Sequence, residues 1–482
     1  MGNFALGLDP LQTGRVFGKE QASFYVTQRK VPFAPCLGHD RLVDFLNNSR
    51  ADEPRTRFLT EDKAGLKLIA ENMRLSRFPG KVWTVPEGTI IFAQEPFAQV
   101  AGPFAVTQMI EVAFENAFDS PMTVSYLAMM MKEAAGEGAF VSDFSLRRGG
   151  FDLSKYLYIG GCDNTSNMEA SFLYGLASVG TMAHYLVQAF MAFVSFVVSR
   201  NFPIPNHWHD EQGNLKHGER LCFEYWLDAH PQGTVCLVDT ISLKLGLIHV
   251  IEAALSSPSR RKALIAVRID SGDLAKGSLF ARRMFDANGL YNVKIVPTGD
   301  LNDKKVREIK KELDGYNTTA KSTGIIGYAG GTKLVAEIDR IAGVVFKLVE
   351  FLGTPTLKCS GTPGKETLPG RLQLWRCEDK KGKYILDVIS TEKEDPPGGE
   401  KVQLATGLLQ PFWEQGKSPE LKTPQELKKL VEDQKGRFAI SLERYAKERV
   451  VLSDKLLRLK ENIQKEYKEI SPTTVRVVDW PE

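Results

Sequence analysis

A chain of 482 residues with 43% hydrophobic and 25% charged residues is long enough for two or three domains and has the composition of a globular protein. Its 62 basic and 59 acidic residues leave a net charge of +3, which excludes a nucleic-acid-coating protein, so any anionic ligand must be recognised locally. Six scattered cysteines and the lack of a signal pattern predict reduced thiols in the cytoplasm, and we expect neither a membrane nor a nucleic acid as a partner.

The sequence pattern of the first 138 residues predicts an N-terminal α/β module. We expect a strand at Ser23–Gln28, a helix over Glu61–Asn72, two strands around a turn within Lys81–Phe92, and a methionine-rich helix over Gln108–Ala135. The methionines of that helix are typical of core filling rather than of a ligand surface.

Residues 139–350 alternate short apolar runs with helical patterns. This alternation predicts parallel strands buried on both faces, and about seven such units favour a closed or nearly closed α/β barrel over an open sheet. The expected strands are Leu157–Ile159, Ala177–Val179, Thr234–Val238, Leu264–Ile269, Val293–Pro297, Gly324–Ile326 and Val344–Leu348. The clearest helices between them are Ile241–Ala254, Leu274–Asn288 and Asp303–Leu313.

Polar residues recur where these strands end, and the C-terminal ends of barrel strands are where such enzymes place their chemistry. The residues are Asp163, Thr165, Thr181, His184, Asp239, Thr240, Arg268, Asp270, Ser271, Asp273, Thr298, Asp300, Gly330, Gly331 and Thr332. The recurrence predicts an active site at this rim of the barrel.

Two loops rich in glycine and hydroxyl residues, at 160–167 and 180–184, have the composition of phosphate-handling βα turns. The apolar segment Met182–Val198 follows the second loop and is interpreted as a helix buried in a large core, since it is marginal for a membrane span. His184 begins this helix. By itself it is either a capping or core histidine or a functional one.

Arg268, Asp270 and Asp273 lie within six residues of one another. The carboxylates could bind Mg²⁺ or face a developing positive charge, and Arg268 suits a carboxylate or a phosphate; a salt-bridged turn is the alternative. The run Gly330–Lys333 is a candidate phosphate nest. Arg147 and Arg148 are either a basic surface pair or an anion-capturing pair at the barrel mouth.

Two further segments have simpler interpretations. His207, His209 and Asp210 could suggest a metal site, but their polar surroundings favour a surface loop. Residues 351–482 form a C-terminal segment with a solvated loop at Thr391–Glu400 and charged helices over Pro424–Glu469.

Together, these residues suit a sugar diphosphate donor with Mg²⁺. A hydride-transfer cofactor fits poorly, because no Gly-x-Gly-x-x-Gly follows a strand.

Several ordered blocks resemble the nicotinate phosphoribosyltransferase family. They begin at Phe144 (FSLRR), Gly160 (GGCDNTSN), Gly180 (GTMAH), Val267 (VRIDSGDL), Gly330 (GGTKLV) and Val345 (VFKLVE), and the segments at Lys358 (KCS), Lys365 (KETLPGR) and Trp375 (WR) resemble the family's C-terminal signature. The match covers residues 140–376 in order, while the N-terminal module agrees more loosely.

The resemblance implies an irregular α/β barrel of the type II phosphoribosyltransferase kind, beside an α/β domain built from both chain ends. It implies a homodimer with active sites at the interface. It also implies that nicotinate and 5-phosphoribosyl 1-pyrophosphate give nicotinate mononucleotide and pyrophosphate, coupled to ATP hydrolysis with Mg²⁺.

The resemblance also implies residue roles. His184 is the histidine phosphorylated by ATP, and Thr181, Arg268 and Arg147 contact nicotinate. Gly330, Gly331 and Thr332 bind the phosphoribosyl donor. Asp270 and Asp273 are catalytic residues and Mg²⁺ ligands.

The sequence departs from the family pattern at three places. Leu11 stands where the family has a tyrosine that stacks on the base, Cys162-Asp163-Asn164 replaces an aromatic-Asp-Gly run, and Ala329-Gly330 replaces a Gly-hydrophobic pair. Two alternatives therefore stay open: a phosphoribosyltransferase of the same fold acting on nicotinamide or another pyridine, and a non-catalytic paralogue that binds the donor or a nucleotide.

Overall fold

The structure, a computed structural model, describes residues 20–48, 53–54, 57, 78–150, 152–360, 365–414 and 416–469. The predicted helix over Glu61–Asn72 and the departure at Leu11 lie outside these residues. The chain divides into two compact units: the described parts of residues 1–126 together with 339–482, and residues 127–338.

Helices and strands are mixed throughout the described chain. The strands are β1 (Gln21–Gln28), β2 (Phe33–Pro35), β3 (Lys81–Thr84), β4 (Ile90–Phe92), β5 (Pro96–Pro103), β6 (Phe140–Asp143), β7 (Asn164–Thr165), β8 (Thr234–Leu237), β9 (Leu264–Ile269), β10 (Lys294–Pro297), β11 (Gly327–Gly330), β12 (Val344–Phe351), β13 (Thr354–Pro355), β14 (Leu372–Glu378), β15 (Tyr384–Thr391), β16 (Leu404–Gly407), β17 (Gln410–Trp413) and β18 (Val450–Leu452).

The helices follow the same chain order. They are α1 (His39–Asn48), α2 (Phe104–Met109), α3 (Glu111–Ala135), α4 (Leu146–Gly149), α5 (Leu153–Gly160), α6 (Met168–Tyr174), α7 (His184–Ser199), α8 (Gly218–Ala229), α9 (Leu243–Leu255), α10 (Pro258–Ala263), α11 (Leu274–Ala287), α12 (Asp303–Gly315), α13 (Pro424–Arg437), α14 (Leu442–Glu448) and α15 (Asp454–Glu469). Among these described helices, none is both long and apolar enough to cross a bilayer.

The first unit is built around a six-stranded antiparallel sheet in the order β13-β12-β1-β5-β3-β17. Strands from both parts of the chain therefore pair within one sheet. The same unit holds the four-stranded sheet β16-β14-β15-β18 and the pair β2-β4. The run Val344–Leu348, predicted as a barrel strand, lies in β12 and pairs antiparallel with β1, where Phe346 stacks on Phe24 at 4.8 Å between ring centroids.

The second unit contains the parallel strands of the barrel. Two three-stranded sheets, β8-β9-β10 and β7-β6-β11, are joined through a parallel bridge between Ile295 and Ile325, and Ser178 bridges to Thr165 beside β7. The strands follow chain order around the barrel, and the last strand, β11, pairs with the first, β6. Because no strand pairing joins the Ser178 segment to β8 among the described residues, the barrel is irregular.

Three predicted barrel strands are wrong, and three real strands, β6, β7 and β11, were missed. Leu157–Ile159 belongs to helix α5, whereas Ala177–Val179 and Gly324–Ile326 contribute only isolated bridges, at Ser178 and at Ile325 just before β11. The missed strand β6 has the sequence Phe-Val-Ser-Asp, in which too few residues are apolar to stand out, and β7 has only two residues. Short apolar runs do not distinguish a strand from one turn of a buried helix.

Helix α7 lies where it was predicted, but it is not buried in a large core. Of its side chains only Val187, Val194 and Val197 are buried, whereas Tyr185 is 74% exposed and Phe193 is 53% exposed. Composition alone cannot separate a core helix from one that presents an apolar surface. The first residue of the helix, His184, therefore belongs to the candidate site, and the rest of the helix presents an exposed apolar face.

Candidate active site

A cleft of about 740 Å³ opens at the C-terminal ends of the barrel strands in the second unit. Its lining combines the loops after β6, β9, β10 and β11 with the start of α7. The lining residues are Phe144, Leu146, Arg147, Ser166, Gly180, Thr181, Ala183, His184, Leu237, Arg268, Asp270, Gly299, Asp300, Ala329 and Gly331. The position agrees with the general rule for barrels, because parallel strands bring all their carboxyl ends to one rim.

Arg268, near the end of β9, is the most firmly held cation of the cleft. Its Nε donates to Thr298 Oγ1 at 2.8 Å, one terminal nitrogen donates to Thr181 Oγ1 at 3.0 Å, and the other donates to Asp270 Oδ1 at 2.6 Å. Its guanidinium lies over the Phe144 ring, 5.2 Å from the ring centroid. Three of its five N–H donors are thus engaged, which fixes the fork and leaves donors for an anionic ligand.

His184 is the first residue of α7, and its ring is held from one side. Its Nδ1 shares a hydrogen bond with Thr240 Oγ1 at 3.0 Å, and its Nε2 lies 3.9 Å from Asp270 Oδ2. The side chain is 40% exposed. A ring whose Nδ1 is occupied by a hydroxyl presents Nε2 as the nitrogen available to a reacting group.

Asp270 connects the arginine and the histidine. Besides Arg268, its Oδ1 accepts a short hydrogen bond from Thr298 Oγ1. Its backbone N–H donates to Asp239 Oδ2 at 2.9 Å, so Asp239 at the end of β8 orients the turn that carries Asp270. The other carboxylate oxygen of Asp239 is buried and has no hydrogen-bond partner within the described chain. This donor set fits a divalent cation held beside Asp270.

Asp273 is placed differently from the rest of the predicted site. It does not line the cleft; it caps helix α11, accepting from Lys276 N at 3.0 Å and from Lys276 Nζ at 2.8 Å. The Lys276 side chain and backbone hold the pKa of this carboxyl below its usual range. The structure therefore brings Asp270, and not Asp273, into contact with Arg268.

The two glycines at the end of β11 are both buried but differ in how closely they are packed. A Cβ at Gly330 would lie 2.8 Å from Leu334, whereas a Cβ at Gly331, which lines the cleft, would come no closer than 3.6 Å to its neighbours. Thr332 begins a short 3₁₀ turn just beyond it and is not among the lining residues. Of Gly330, Gly331 and Thr332, only Gly331 is therefore among the residues that line the cleft.

The two adjacent arginines of α4 differ in their relation to the cleft. Both side chains are exposed, but only Arg147 is among the residues that line the cleft. Arg147 forms no ion pair or hydrogen bond with any other residue that the structure describes. Its charge is available to a ligand.

Other polar residues at the strand ends support the barrel instead of lining the cleft. Asp143 accepts from Ser145 N at 2.8 Å, from Ser145 Oγ at 2.6 Å and from Thr165 Oγ1 at 2.8 Å. Asp163 pairs with Lys132 Nζ and accepts from Val141 N, both at 2.7 Å. The buried contacts of Asp143 and the half-buried contacts of Asp163 hold β6 and β7 in place.

Sequence reasoning missed two groups that shape the site. Phe144 lies beneath Arg268, and Gly299 lines the cleft with a φ of 110°, where a Cβ would come within 3.0 Å of the Asp270 carbonyl oxygen. Phe144 begins the segment FSLRR that ends in the arginine pair, and Gly299 follows Thr298 at a strand end. Both positions were within three residues of side chains that the pattern had already indicated.

The comparisons with known proteins are consistent with this geometry. The nicotinate phosphoribosyltransferase pncB2 of Mycobacterium tuberculosis is 31% identical over 391 residues, which cover 78% of this chain and 75% of the relative. The chain belongs to the nicotinate phosphoribosyltransferase family. Nicotinate phosphoribosyltransferase 2 of Arabidopsis thaliana is 28% identical over 420 residues, 78% of this chain and 74% of the relative. No family model matches the chain.

The fold comparison agrees with the sequence comparison. The crystal structure of human nicotinic acid phosphoribosyltransferase matches with a TM-score of 0.73 at 23% identity, covering 96% of this chain and 98% of that one. This likeness confirms the predicted α/β fold of the nicotinate phosphoribosyltransferase, or type II, kind.

Two departures from the nicotinate phosphoribosyltransferase pattern can be placed in the structure. Cys162 is buried and Asp163 is engaged by Lys132, so these two residues of the replaced loop support β6 and do not face the cleft. Ala329 does line the cleft, beside Gly331. The altered pair before Gly331 is therefore the departure that bears on ligand contact.

Proposed function

We propose that this chain transfers the phosphoribosyl group of 5-phosphoribosyl 1-pyrophosphate to nicotinate, giving nicotinate mononucleotide and pyrophosphate, with ATP hydrolysis, as a step of NAD biosynthesis. The observation that carries the proposal is Arg268, fixed by Thr181, Thr298 and Asp270 at the wall of the cleft. A guanidinium held in this way suits a planar carboxylate, which nicotinate has and nicotinamide lacks.

The base pocket consists of Arg268, Thr181 and Arg147. Thr181 Oγ1 accepts from Arg268 and donates to the Met182 carbonyl oxygen at 3.0 Å, so its first role is to orient the arginine. Arg147, which has no partner of its own among the described side chains, supplies a second cation to the same anionic base. The ring nitrogen of nicotinate is already a nucleophile, so positioning and not a strong base carries the step.

The phosphoribosyl donor binds along Gly330, Gly331 and Thr332, of which Gly331 lines the cleft. As the bond to pyrophosphate breaks, positive charge develops at the anomeric carbon, and the carboxylate of Asp270 stabilises it. Asp270, the unpaired Oδ1 of Asp239 and the exposed Asp300 would hold Mg²⁺, which would neutralise charge on the leaving pyrophosphate. Asp273 joins them only if its carboxylate exchanges the contact with Lys276.

His184 is the site of ATP coupling. Its Nε2 attacks the γ-phosphorus of ATP, the bond to the bridging oxygen breaks and ADP leaves; water later hydrolyses the phosphohistidine to inorganic phosphate. Thr240 holds Nδ1, and exposure of the ring allows the nucleotide to approach. The negative charge added at position 184 changes the electrostatics 3.9 Å from Asp270 and so biases donor binding and product release.

We also propose a homodimer that uses the apolar surface of α6 and α7. Phe172 is 82% exposed and Tyr185 is 74% exposed, and an apolar patch of this kind is typical of a protein interface. Since α7 begins with His184, such an interface would adjoin the cleft. The cytoplasmic location remains a prediction from cysteine usage.

The identity of the base is tested by comparing nicotinate and nicotinamide as separate substrates. Purified protein with Mg²⁺, ATP and the donor is given nicotinate or nicotinamide, and mononucleotide formation is followed for each. We expect turnover of nicotinate and little turnover of nicotinamide. In Arg268→Ala we expect nicotinate turnover to fall to the low level seen with nicotinamide. Equal or better turnover of nicotinamide would favour the alternative base, and donor binding without any product would favour the non-catalytic alternative.

A further inference from the structure

A second group of metal-ligating side chains lies outside the cleft, where helices α8 and α9 meet in the second unit. His217 is the N-cap of α8, Glu219 is the second residue of that helix, and His249 lies within α9. None of the three lines the cleft. The proposed reaction therefore does not account for them.

The three side chains converge. His249 Nδ1 lies 2.7 Å from Glu219 Oε2, and the rings of His217 and His249 stack with centroids 4.5 Å apart and planes 11° apart. One ligand atom from each residue can be chosen so that all three atoms lie within 4.8 Å of one another. Ligand atoms of a tetrahedral zinc ion lie ~3.4 Å apart, so the three side chains must move closer together by at most about 1.4 Å to surround an ion.

Glu219 gives an independent reason to expect a ligand. Its side chain is fully buried, yet Oε1 has no hydrogen-bond partner within the described residues. A buried carboxylate oxygen without a partner is costly, and a bound cation removes that cost. The oxygen that His249 does not use is thus available to a ligand.

The chain between the ligands is fixed by close packing. A Cβ at Gly218 would lie 2.6 Å from the Cα of Met191 in α7, so only glycine allows the start of α8 to approach that helix. His217 is further held because its Nδ1 accepts from Glu219 N at 3.2 Å. The positions of His217 and Glu219 are consequently set by backbone packing and not by a mobile loop.

We propose that His217, Glu219 and His249 bind one divalent transition-metal ion of the zinc class, which fastens the start of α8 to α9. Two imidazoles and one carboxylate are a ligand set typical of zinc and unlike the all-oxygen sets of Mg²⁺ or Ca²⁺. When the ion binds, the His249 proton that faces Glu219 moves to Nε2 and frees Nδ1. The fourth position opens to water beside the exposed His217.

The neighbouring histidines provide a contrast. His207 Nε2 is paired with Tyr225 Oη at 2.8 Å, and Asp210 closes a turn by accepting from Asn214 N at 2.7 Å. Within the described chain, His217, Glu219 and His249 form the group of three that satisfies the distance requirement for a metal. His209 is therefore a suitable control position.

The test uses the full-length protein, stripped with a chelator and titrated with ZnCl₂ by calorimetry, with bound zinc counted by elemental analysis. His217→Asn keeps a good helix N-cap and removes the imidazole ligand, and His209→Ala removes a nearby histidine outside the group. We expect one zinc per chain and a raised Tm for wild type and His209→Ala. In His217→Asn we expect affinity to fall at least about 10-fold and the Tm increase to be lost.

A metal-free Tm for His217→Asn that equals the wild-type value shows that the variant folds, and Glu219→Gln provides a second ligand variant. Zinc bound at the cleft carboxylates would persist in both variants. The proposal is overturned if stripped wild type binds no zinc or if His217→Asn binds it as tightly as wild type.

Discussion

At the level of individual residues, the cleft depends on a polar chain that runs from Thr181 through Arg268 to Asp270 and His184. Each member restrains the next: Thr181 and Thr298 hold the guanidinium, the guanidinium holds Asp270, and Asp270 faces the free nitrogen of His184. Interactions made by a fixed fork cannot be reproduced by a single ammonium group. The identity of residue 268 should therefore matter more than its charge.

We expect Arg268→Lys to lower kcat/KM for nicotinate by about 10- to 100-fold, mainly through KM. This range corresponds to the loss of hydrogen bonds to charged groups worth about 1.5–3 kcal/mol. The measurement is steady-state formation of nicotinate mononucleotide. Arg148→Lys, at an exposed position that does not line the cleft, is the matched control and should retain wild-type kinetics. An unchanged kcat/KM in Arg268→Lys would show that the fixed guanidinium geometry of Arg268 is not needed for nicotinate binding.

Much of the site could be predicted from the sequence because parallel strands deliver their final residues to one rim. Thr181 lies 87 residues before Arg268 in the chain, yet both line the cleft together with their near neighbours His184 and Asp270. Asp273 shows why the pattern was not sufficient. An aspartate before a helix is equally typical of an N-cap, and this one caps α11. Its catalytic role remains a prediction.

At the level of helices and strands, α9 approaches the end of β8 unusually closely. A Cβ at Gly246, inside α9, would lie 1.8 Å from the Val238 carbonyl oxygen. Asp239 and Thr240, which orient Asp270 and His184, follow directly. A glycine in a helix is normally unfavourable, but here it permits the close packing that fixes the positions of Asp239 and Thr240.

Two helical glycines should thus respond oppositely to alanine. Gly246→Ala should lower the free energy of unfolding by about 1–3 kcal/mol or more, because the added methyl group overpacks against backbone. Gly436→Ala in α13, where nothing lies within 4 Å of the added Cβ, should raise it by up to about 1 kcal/mol through helix propensity. Chemical denaturation of both variants checks the signs. Equal shifts would mean that the close approach at Gly246 does not limit the fold.

The barrel strands were predictable where apolar runs were long and flanked by clear helices. Strands β8, β9 and β10 lie within predicted runs. Leu157–Ile159 was wrong because a three-residue apolar run also fits a helix, and α5 buries Tyr156 and Leu157 on such a face. The Val344–Leu348 run was a strand in the wrong sheet, since a local pattern does not specify its partner.

At the level of the whole molecule, stability should depend on a buried histidine in the first unit. His39 is 1% exposed, its Nε2 donates to the Val85 carbonyl oxygen at 3.0 Å, and its ring lies between Phe118 and Phe412. Burial lowers the pKa of His39 to about 4. The folded protein therefore holds this ring neutral, whereas an unfolded histidine has a pKa of about 6.5.

The sign of the pH dependence follows from proton binding. Between about pH 6.5 and 4 the unfolded chain binds a proton at His39 that the folded chain does not bind. The contribution of the neutral His39 to the free energy of unfolding is therefore fully present above about pH 6.5 and is lost as the pH falls towards about 4. We expect His39→Gln, which keeps a hydrogen-bond donor, to flatten the fall in urea midpoint between pH 7 and 4.5. A variant with the same slope as wild type would mean that His39 does not carry this dependence.

The proposed catalytic cycle as a whole depends on phosphate transfer to His184. We would therefore follow nicotinate mononucleotide formation from nicotinate and 5-phosphoribosyl 1-pyrophosphate, with and without ATP, in wild type, His184→Ala and the control His209→Ala. We expect ATP to accelerate wild type and His209→Ala but to have no effect on His184→Ala, because only the first two keep the phosphate acceptor. Undiminished ATP stimulation in His184→Ala, or no product from wild type that still binds the donor, would contradict the proposed function.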